Sequence, residues 1–247
     1  MKIAAIIEAR MRSTRLPGKV FLPVLGKPVI EMMVERIKHA RYIDKIIIAT
    51  TTDKSDDRIE ELCKRLDIDC YRGSEDDVLS RVLEAARAHK VDLICELTGD
   101  CPLIDPIIID QVVTMYMSGF YDYTANGFNE QTYPRGLDVK VFPTSVLEKT
   151  AKLTTNAIDH VHVSCFIYHN PKIFRLGGIT APAAVFGPDI RITLDTAEDY
   201  ELIKRIFEAL YKKNKIFLAK DIVKYLRDNP ELLKINRHVR QKDIDEG

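Results

Sequence analysis

The sequence predicts an α/β protein with three layers (α/β/α), a mostly parallel sheet covered by helices, and a small α+β insertion in its second half. Three observations carry that expectation. Short β-branched runs alternate with helical stretches through the first half, the pattern of a parallel sheet with crossover helices. After about residue 119 the alternation becomes irregular, as an insertion beside the sheet would make it. The length, 247 residues with 46% hydrophobic side chains, suffices for one large core plus a subdomain. The expected organisation is one domain over 1–247, with 119–180 as its subdomain.

Taken in order, residues 2–7 (KIAAII) predict a buried strand. A loop rich in arginine follows, and 28–40 then has helical spacing, with Ile30, Met33, Val34 and Ile37 on one face. The run 45–50 predicts the second strand, 56–66 the second helix and 70–71 part of a short strand. Residues 76–89 predict a third helix, striped by Val78, Leu79, Val82, Leu83 and Ala86. The run 93–98 predicts a strand ending at Gly99 and Asp100, and 106–117 a helix. In the irregular stretch, 122–126, 137–142 and 174–178 predict strands, while 145–153 and 157–168 predict helices. Residues 190–194 read as a strand leading through Asp195 into an amphipathic helix at 197–210, where Thr196 and Asp199 have capping-box spacing. A helix at 221–226 and a charged end complete the chain.

Composition excludes several classes of partner. Thirty-seven basic and 37 acidic side chains give a formal net charge of zero, which argues against bulk attraction to nucleic acid or an anionic membrane. The cysteines (Cys63, Cys70, Cys95, Cys101 and Cys165) are odd in number and form no CxxC pair, so they read as reduced thiols, neither a disulfide framework nor a zinc site. No apolar run approaches the ~20 residues that span a bilayer. The opening strand-like run lacks a signal-peptide layout, and the expected compartment is the cytoplasm.

Chemistry concentrates in four places. Arg10, Arg12, Arg15 and Lys19 follow the first strand directly, in ARMRSTRLPGK. Loops at the carboxyl ends of parallel strands are where open α/β sheets bind ligands, and such a loop offers backbone N–H groups and guanidinium forks to phosphate oxygens. A solvated basic loop is the competing reading. In YRGSEDDVL, Ser74 or Asp76 has the residue type of a helix N-cap. In LTGDCPL, Asp100 ends a strand before Pro102 and either caps a turn or supplies a hard oxygen to Mg²⁺. In ITLDTAED, Asp195 stands at a helix start, where capping and metal binding are compatible roles. Asn126, Arg135 and Asp138 sit among strand-like runs, either as turn residues or as contacts for an acidic ligand. His160 and His162 do not form a metal pair, because residues two apart do not share a helix face.

The first motif, followed by LGKPVIEMMVERI, resembles the opening of the cytidylyltransferase family, which includes 3-deoxy-manno-octulosonate and acylneuraminate cytidylyltransferases. The likeness extends from about residue 2 to 210 and is strongest to the spore coat polysaccharide biosynthesis branch. It implies a fold of nucleotide-diphospho-sugar transferase type. It implies that Arg10, Arg12, Arg15 and Lys19 contact a nucleoside triphosphate, that Ala9 lies against the base, and that Arg72 and Ser74 lie beside base or ribose. It implies that Asp100, within a GDxPL element, and Asp195 hold Mg²⁺, with Arg15, Lys19 and Asp100 as the catalytic set. The expected reaction is attack by an acceptor oxygen on the α-phosphorus of CTP with release of pyrophosphate, in surface-glycan synthesis. The expected acceptor is a small sugar acid or a related molecule, bound by Asn126, Arg135, Asp138 and His160 in the 119–180 subdomain. That subdomain is also the expected homodimer surface. Sugar transfer from a nucleotide-sugar donor and a non-catalytic nucleotide-binding module are the rival readings.

Overall fold

Strand β1 (Ile3–Glu8) is buried along its apolar length because a parallel strand lies on each side. The structure, a computed structural model, describes residues 1–127 and 130–242. After β1 come a small antiparallel hairpin, β2 (Pro23–Val24) and β3 (Lys27–Pro28), then α1 (Val29–Ile37), β4 (Lys45–Thr51) and α2 (Asp57–Leu66). Next are β5 (Asp69–Gly73), α3 (Val78–Ala88), β6 (Leu93–Thr98) and α4 (Pro106–Met117). The second half adds β7 (Tyr123–Ala125), β8 (Lys140–Pro143), α5 (Thr144–Leu153), α6 (Ala157–Val161) and α7 (Cys165–His169). The last elements are β9 (Leu176–Gly178), α8 (Ala197–Leu210) and α9 (Ala219–Asp228).

One seven-stranded sheet runs in the order β5-β4-β1-β6-β8-β7-β9. Strands β5, β4, β1 and β6 are parallel; β8 runs antiparallel to both β6 and β7, and β9 is parallel to β7. Because strand side chains alternate between faces, Ile3, Ala5 and Ile7 pack into one core and Ala4 and Ile6 into the other. The first core is closed by α1, α2, α4, α8 and α9, the second by α3, α5 and α7. The sheet is therefore mostly parallel with helices on both sides, as the alternation predicted. None of the helices among the described residues is long and apolar enough to cross a membrane.

The strands within 119–180 (β7, β8 and β9) join the main sheet beside β6. Three local expectations are corrected. The helix expected at 157–168 is broken into α6 and α7, because buried Val163 adopts a left-handed φ of 46°, which no helix interior tolerates in a β-branched residue. The N-cap of α3 is Asp77, whose carboxylate accepts from the Ser80 amide at 2.8 Å; Ser74 accepts from the Asp77 amide one step earlier. Residues 190–194 form no strand, since a single bridge joins Arg135 and Arg191. The segment is instead pinned by Arg135 N–H to Ile190 O (2.9 Å), Ile192 N–H to Arg135 O (2.8 Å) and Leu194 N–H to Asp100 O (2.7 Å). Immediately after it, Thr196 and Asp199 complete the expected capping box of α8.

That pinned segment depends on Gly136, which has φ +105° and whose Cβ, if present, would lie 2.6 Å from the Thr193 amide nitrogen. Gly136→Ala is expected to destabilise the protein by about 2–4 kcal/mol, read as a fall in the urea midpoint at unchanged m-value.

Candidate functional site

Three segments remote in sequence converge at the carboxyl edge of the parallel strands. The loop after β1 is shaped by Gly18, which at φ +70° turns the chain so that its amide reaches Met11 O at 2.8 Å. Met11 N–H in turn donates to buried Asp56 at 2.7 Å, and Asp56 also accepts from the Thr50 and Thr51 hydroxyls. This anchoring presents Lys19, in a single 3-10 turn, toward the ends of β1 and β6.

The Lys19 ammonium donates to Asp100 at 3.1 Å and to Asp195 at 2.9 Å. Asp195, almost wholly buried, meets two further cations: Arg15 at 2.8 Å and Arg191 at 2.8 Å. Arg191 is itself held by Asp199 at 3.0 Å. Asp100 is more open and also accepts from the Thr98 hydroxyl at 2.6 Å. Burial works against the charge on Lys19, but Asp100 and Asp195 outweigh it and raise its pKa. Burial likewise opposes ionisation of Asp100, and Lys19 and Thr98 outweigh that, holding the carboxyl below the usual carboxylate range.

Two adjoining cavities open here, of about 290 and 460 Å³, sharing Arg15, His162 and Lys242. The smaller is lined by Ala9, Arg10, Lys19, Asp100 and Asp195, the larger by Asn126, Arg135, Asp138 and Lys140. A roomier cavity of about 680 Å³ lies against α4, flanked by Tyr42, Met115 and Ile179, and carries none of these groups. Among the described residues no cluster of three or more His, Cys, Asp or Glu could hold a metal ion. The donor set of Asp100 and Asp195 fits a divalent cation only when phosphate oxygens complete it, which is how Mg²⁺ is commonly bound.

The sequence model of the cytidylyltransferase family matches residues 4–239. The chain belongs to the cytidylyltransferase family. It is 31% identical over 234 residues to spore coat polysaccharide biosynthesis protein SpsF of Bacillus subtilis, covering 93% of this chain and 95% of that one. A solved cytidylyltransferase from Leptospira borgpetersenii has 32% identity and a TM-score of 0.89, over 98% of this chain and 99% of that one. The structure of CMP:2-keto-3-deoxy-manno-octonic acid synthetase complexed with CTP shares the fold, with a TM-score of 0.62 at 20% identity, over 85% and 99% of the chains. The enzyme is a nucleotidyltransferase.

In this cytidylyltransferase the expected site residues separate into those that meet and those that do not. Ala9, Arg10, Arg15, Lys19, Asp100 and Asp195 line one cleft. Arg10 also pairs with Glu75 at 3.2 Å, while Arg12, well exposed, reaches Asp53 at 3.1 Å outside that lining. Arg72 is engaged elsewhere: it binds Asp57 (2.6 Å), Glu60 (3.1 Å) and the carbonyls of Thr51 and Asp53, tying β5 to α2. Ser74 is exposed and outside the cleft. Asn126 and Asp138 line the second cavity while bracing its wall. Asn126 donates to Leu137 O and accepts from Val139 N–H, both at 2.8 Å, and Asp138 accepts from Gly136 N–H at 2.9 Å. His160 lies outside both cavities, its Nδ1 2.9 Å from Asp77, and His162 stands where His160 was expected.

Sequence reasoning missed Glu8, Arg81, Lys140 and Arg191. Glu8 had a readable signal, a carboxylate closing an otherwise apolar strand. Lys140 meets Glu96 at 2.6 Å only once β8 pairs with β6, a contact that local spacing does not reveal.

The hydrogen bond to Asp77, ahead of opposing burial, raises the pKa of His160 above its ordinary 6.5. The folded state therefore binds this proton more tightly than the unfolded chain. The stabilisation is complete below about pH 6.5 and is lost as pH climbs through the raised value. His160→Gln should cost up to about 1 kcal/mol at about pH 5.5 and distinctly less at about pH 8.5, measured by urea denaturation at both.

Proposed function

We propose that this enzyme transfers CMP from CTP to a small sugar-acid-like acceptor, releasing pyrophosphate with the help of Mg²⁺, in the synthesis of a surface polysaccharide. The observation that carries the reading is the Lys19 ammonium shared between Asp100 and Asp195, with Arg15 on the same carboxylate. Such a cluster holds cationic donors ready for phosphate oxygens and carboxylates ready for the cation that accompanies them. CTP is supported by the family and by the printed ligand of the octonic acid synthetase structure; the polysaccharide role is supported by the SpsF name.

In the proposed reaction the hydroxyl oxygen of the acceptor attacks the α-phosphorus. The bond to the bridging oxygen of pyrophosphate breaks, and the hydroxyl proton passes to water. Arg15 and Lys19 neutralise the charge that grows on the departing pyrophosphate, and no protein nucleophile is needed. Asp100 and Asp195 would hold Mg²⁺, which when bound screens the phosphate charges. Arg10 would add a phosphate contact and Ala9 a surface for the base. The acceptor would enter the second cavity, where Arg135, Lys140 and His162 favour an acidic molecule and Asn126 and Asp138 shape the wall. The 119–180 stretch, which supplies most of that wall, is proposed as the acceptor-binding region and as the surface of a homodimer.

Asp100→Ala should lower pyrophosphate release from CTP plus a 3-deoxy sugar acid at least ~100-fold. The assay is run with each of the four nucleoside triphosphates. Full activity in the variant sinks the metal assignment, and turnover of a nucleotide-sugar alone replaces this reading by sugar transfer.

A further inference from the structure

Two buried polar atoms of the nucleotide cleft have no hydrogen-bond partner in the protein: Oε1 of Glu8 and Nε of Arg81. Glu8 is the last residue of β1, and Arg81 stands near the start of α3 over the same edge of the sheet. Both side chains line the cavity that contains Ala9, Lys19 and Asp100. Orphaned buried polar atoms destabilise a fold, so two of them in one cleft call for a ligand that satisfies both.

Their geometry restricts that ligand. Arg81 is fixed by its donation to the Ser74 carbonyl at 2.5 Å and by packing against Gly73, where a Cβ would meet Arg81 Cγ at 3.0 Å. The backbone of Glu8 is fixed by the parallel ladders, opposite Ala49 and Thr98. Glu8 and Arg81 act on each other electrostatically, yet Glu8 Oε1 and Arg81 Nε make no hydrogen bond to each other. A carboxyl and a guanidinium free to approach in a buried site would close into a direct pair. Held apart, they present an acceptor and a donor in one gap. Burial, followed by the neighbouring Glu96, pushes Glu8 up to about 8, so near neutrality its carboxyl offers a hydroxyl donor beside a carbonyl acceptor.

The orientation of a nucleotide in this cleft follows from charge. Arg15 and Lys19 converge on Asp195, which makes that end the place for the triphosphate. The floor between the ends consists of small residues: a Cβ on Gly99 would lie 3.0 Å from the Ala9 Cβ. The base is thereby directed to the Glu8 and Arg81 end. We propose that Glu8 and Arg81 read the nucleobase, with the Glu8 carboxyl pairing with the N4 amino group and N3 of cytosine while Arg81 Nε–H donates to O2. This inference rests on the CTP reading above and names the residues that give it base selectivity.

The test is equilibrium binding of CTP, ATP and the CTP analogue that carries hydrogen in place of the 4-amino group. Wild type should prefer CTP over the analogue by about 10-fold or more, because the analogue leaves the Glu8 acceptor unpaired. Glu8→Leu, which replaces an orphaned buried carboxyl with an apolar chain and so should fold, is expected to bring that ratio to about 1. Glu8→Gln keeps an acceptor beside a donor and should preserve the ratio. Arg81→Lys should weaken CTP and the analogue alike, since both carry O2. A CTP-selective wild type whose preference over the analogue survives Glu8→Leu overturns this proposal alone. A wild type that binds ATP as well as CTP overturns the CTP reading, and this proposal with it.

Discussion

One ammonium group, that of Lys19, holds the functional half of this molecule together. It reaches Asp100 from the loop after β6 and Asp195 from the start of α8, two segments that share no strand pairing with its own loop. Burying such charges is costly, and a buried ion pair is often no more stable than apolar packing in its place. Here the cost is offset because Asp195 has three cationic partners and Asp100 a hydroxyl donor as well. The arrangement is better explained by ligand binding than by stability. Removing Lys19 would leave two carboxylates facing each other, and removing Asp195 would leave three cations doing so.

The rest of the fold serves that meeting point. Gly18 and the Asp56 network aim Lys19, the tight approach at Gly136 pins the segment before Asp195, and the capping box sets the angle at which α8 departs. Because the cations and carboxylates of the cluster pair mainly with one another, a triphosphate with a divalent cation could, in the proposed reaction, replace those pairings group for group. The cations would then turn to phosphate oxygens and the carboxylates to the metal, with the preorganised groups that electrostatic catalysis requires.

Much of this was legible in the sequence, and the limits have physical causes. The parallel strands, α4 and α8 follow from local periodicity, which depends only on neighbouring residues. So does the loop bearing Lys19, whose residue types and spacing are unusual on their own. Arg72 could not be placed that way, since Asp57 and Glu60 become its neighbours only once β5 packs beside β4 and α2. Val163 breaks a periodic stretch for reasons of burial, and 190–194 fails to become a strand because only one residue finds a partner across from it. Arg191, which completes the charge cluster, carried no local signal beyond its spacing from Asp195. Family likeness supplied the chemistry of the loop, while the junction of the two cavities at Arg15 and His162 is a property of the three-dimensional structure.

The central claim is that the Lys19 cluster is a triphosphate site whose internal pairings are exchanged for those of the ligand. A crystal structure of the enzyme with CTP and Mg²⁺ tests it directly. The account predicts that Lys19 Nζ leaves at least one of Asp100 and Asp195 to contact phosphate oxygens while Asp100 turns to the metal. A triphosphate bound elsewhere, with Lys19 still shared between the two carboxylates, would contradict it.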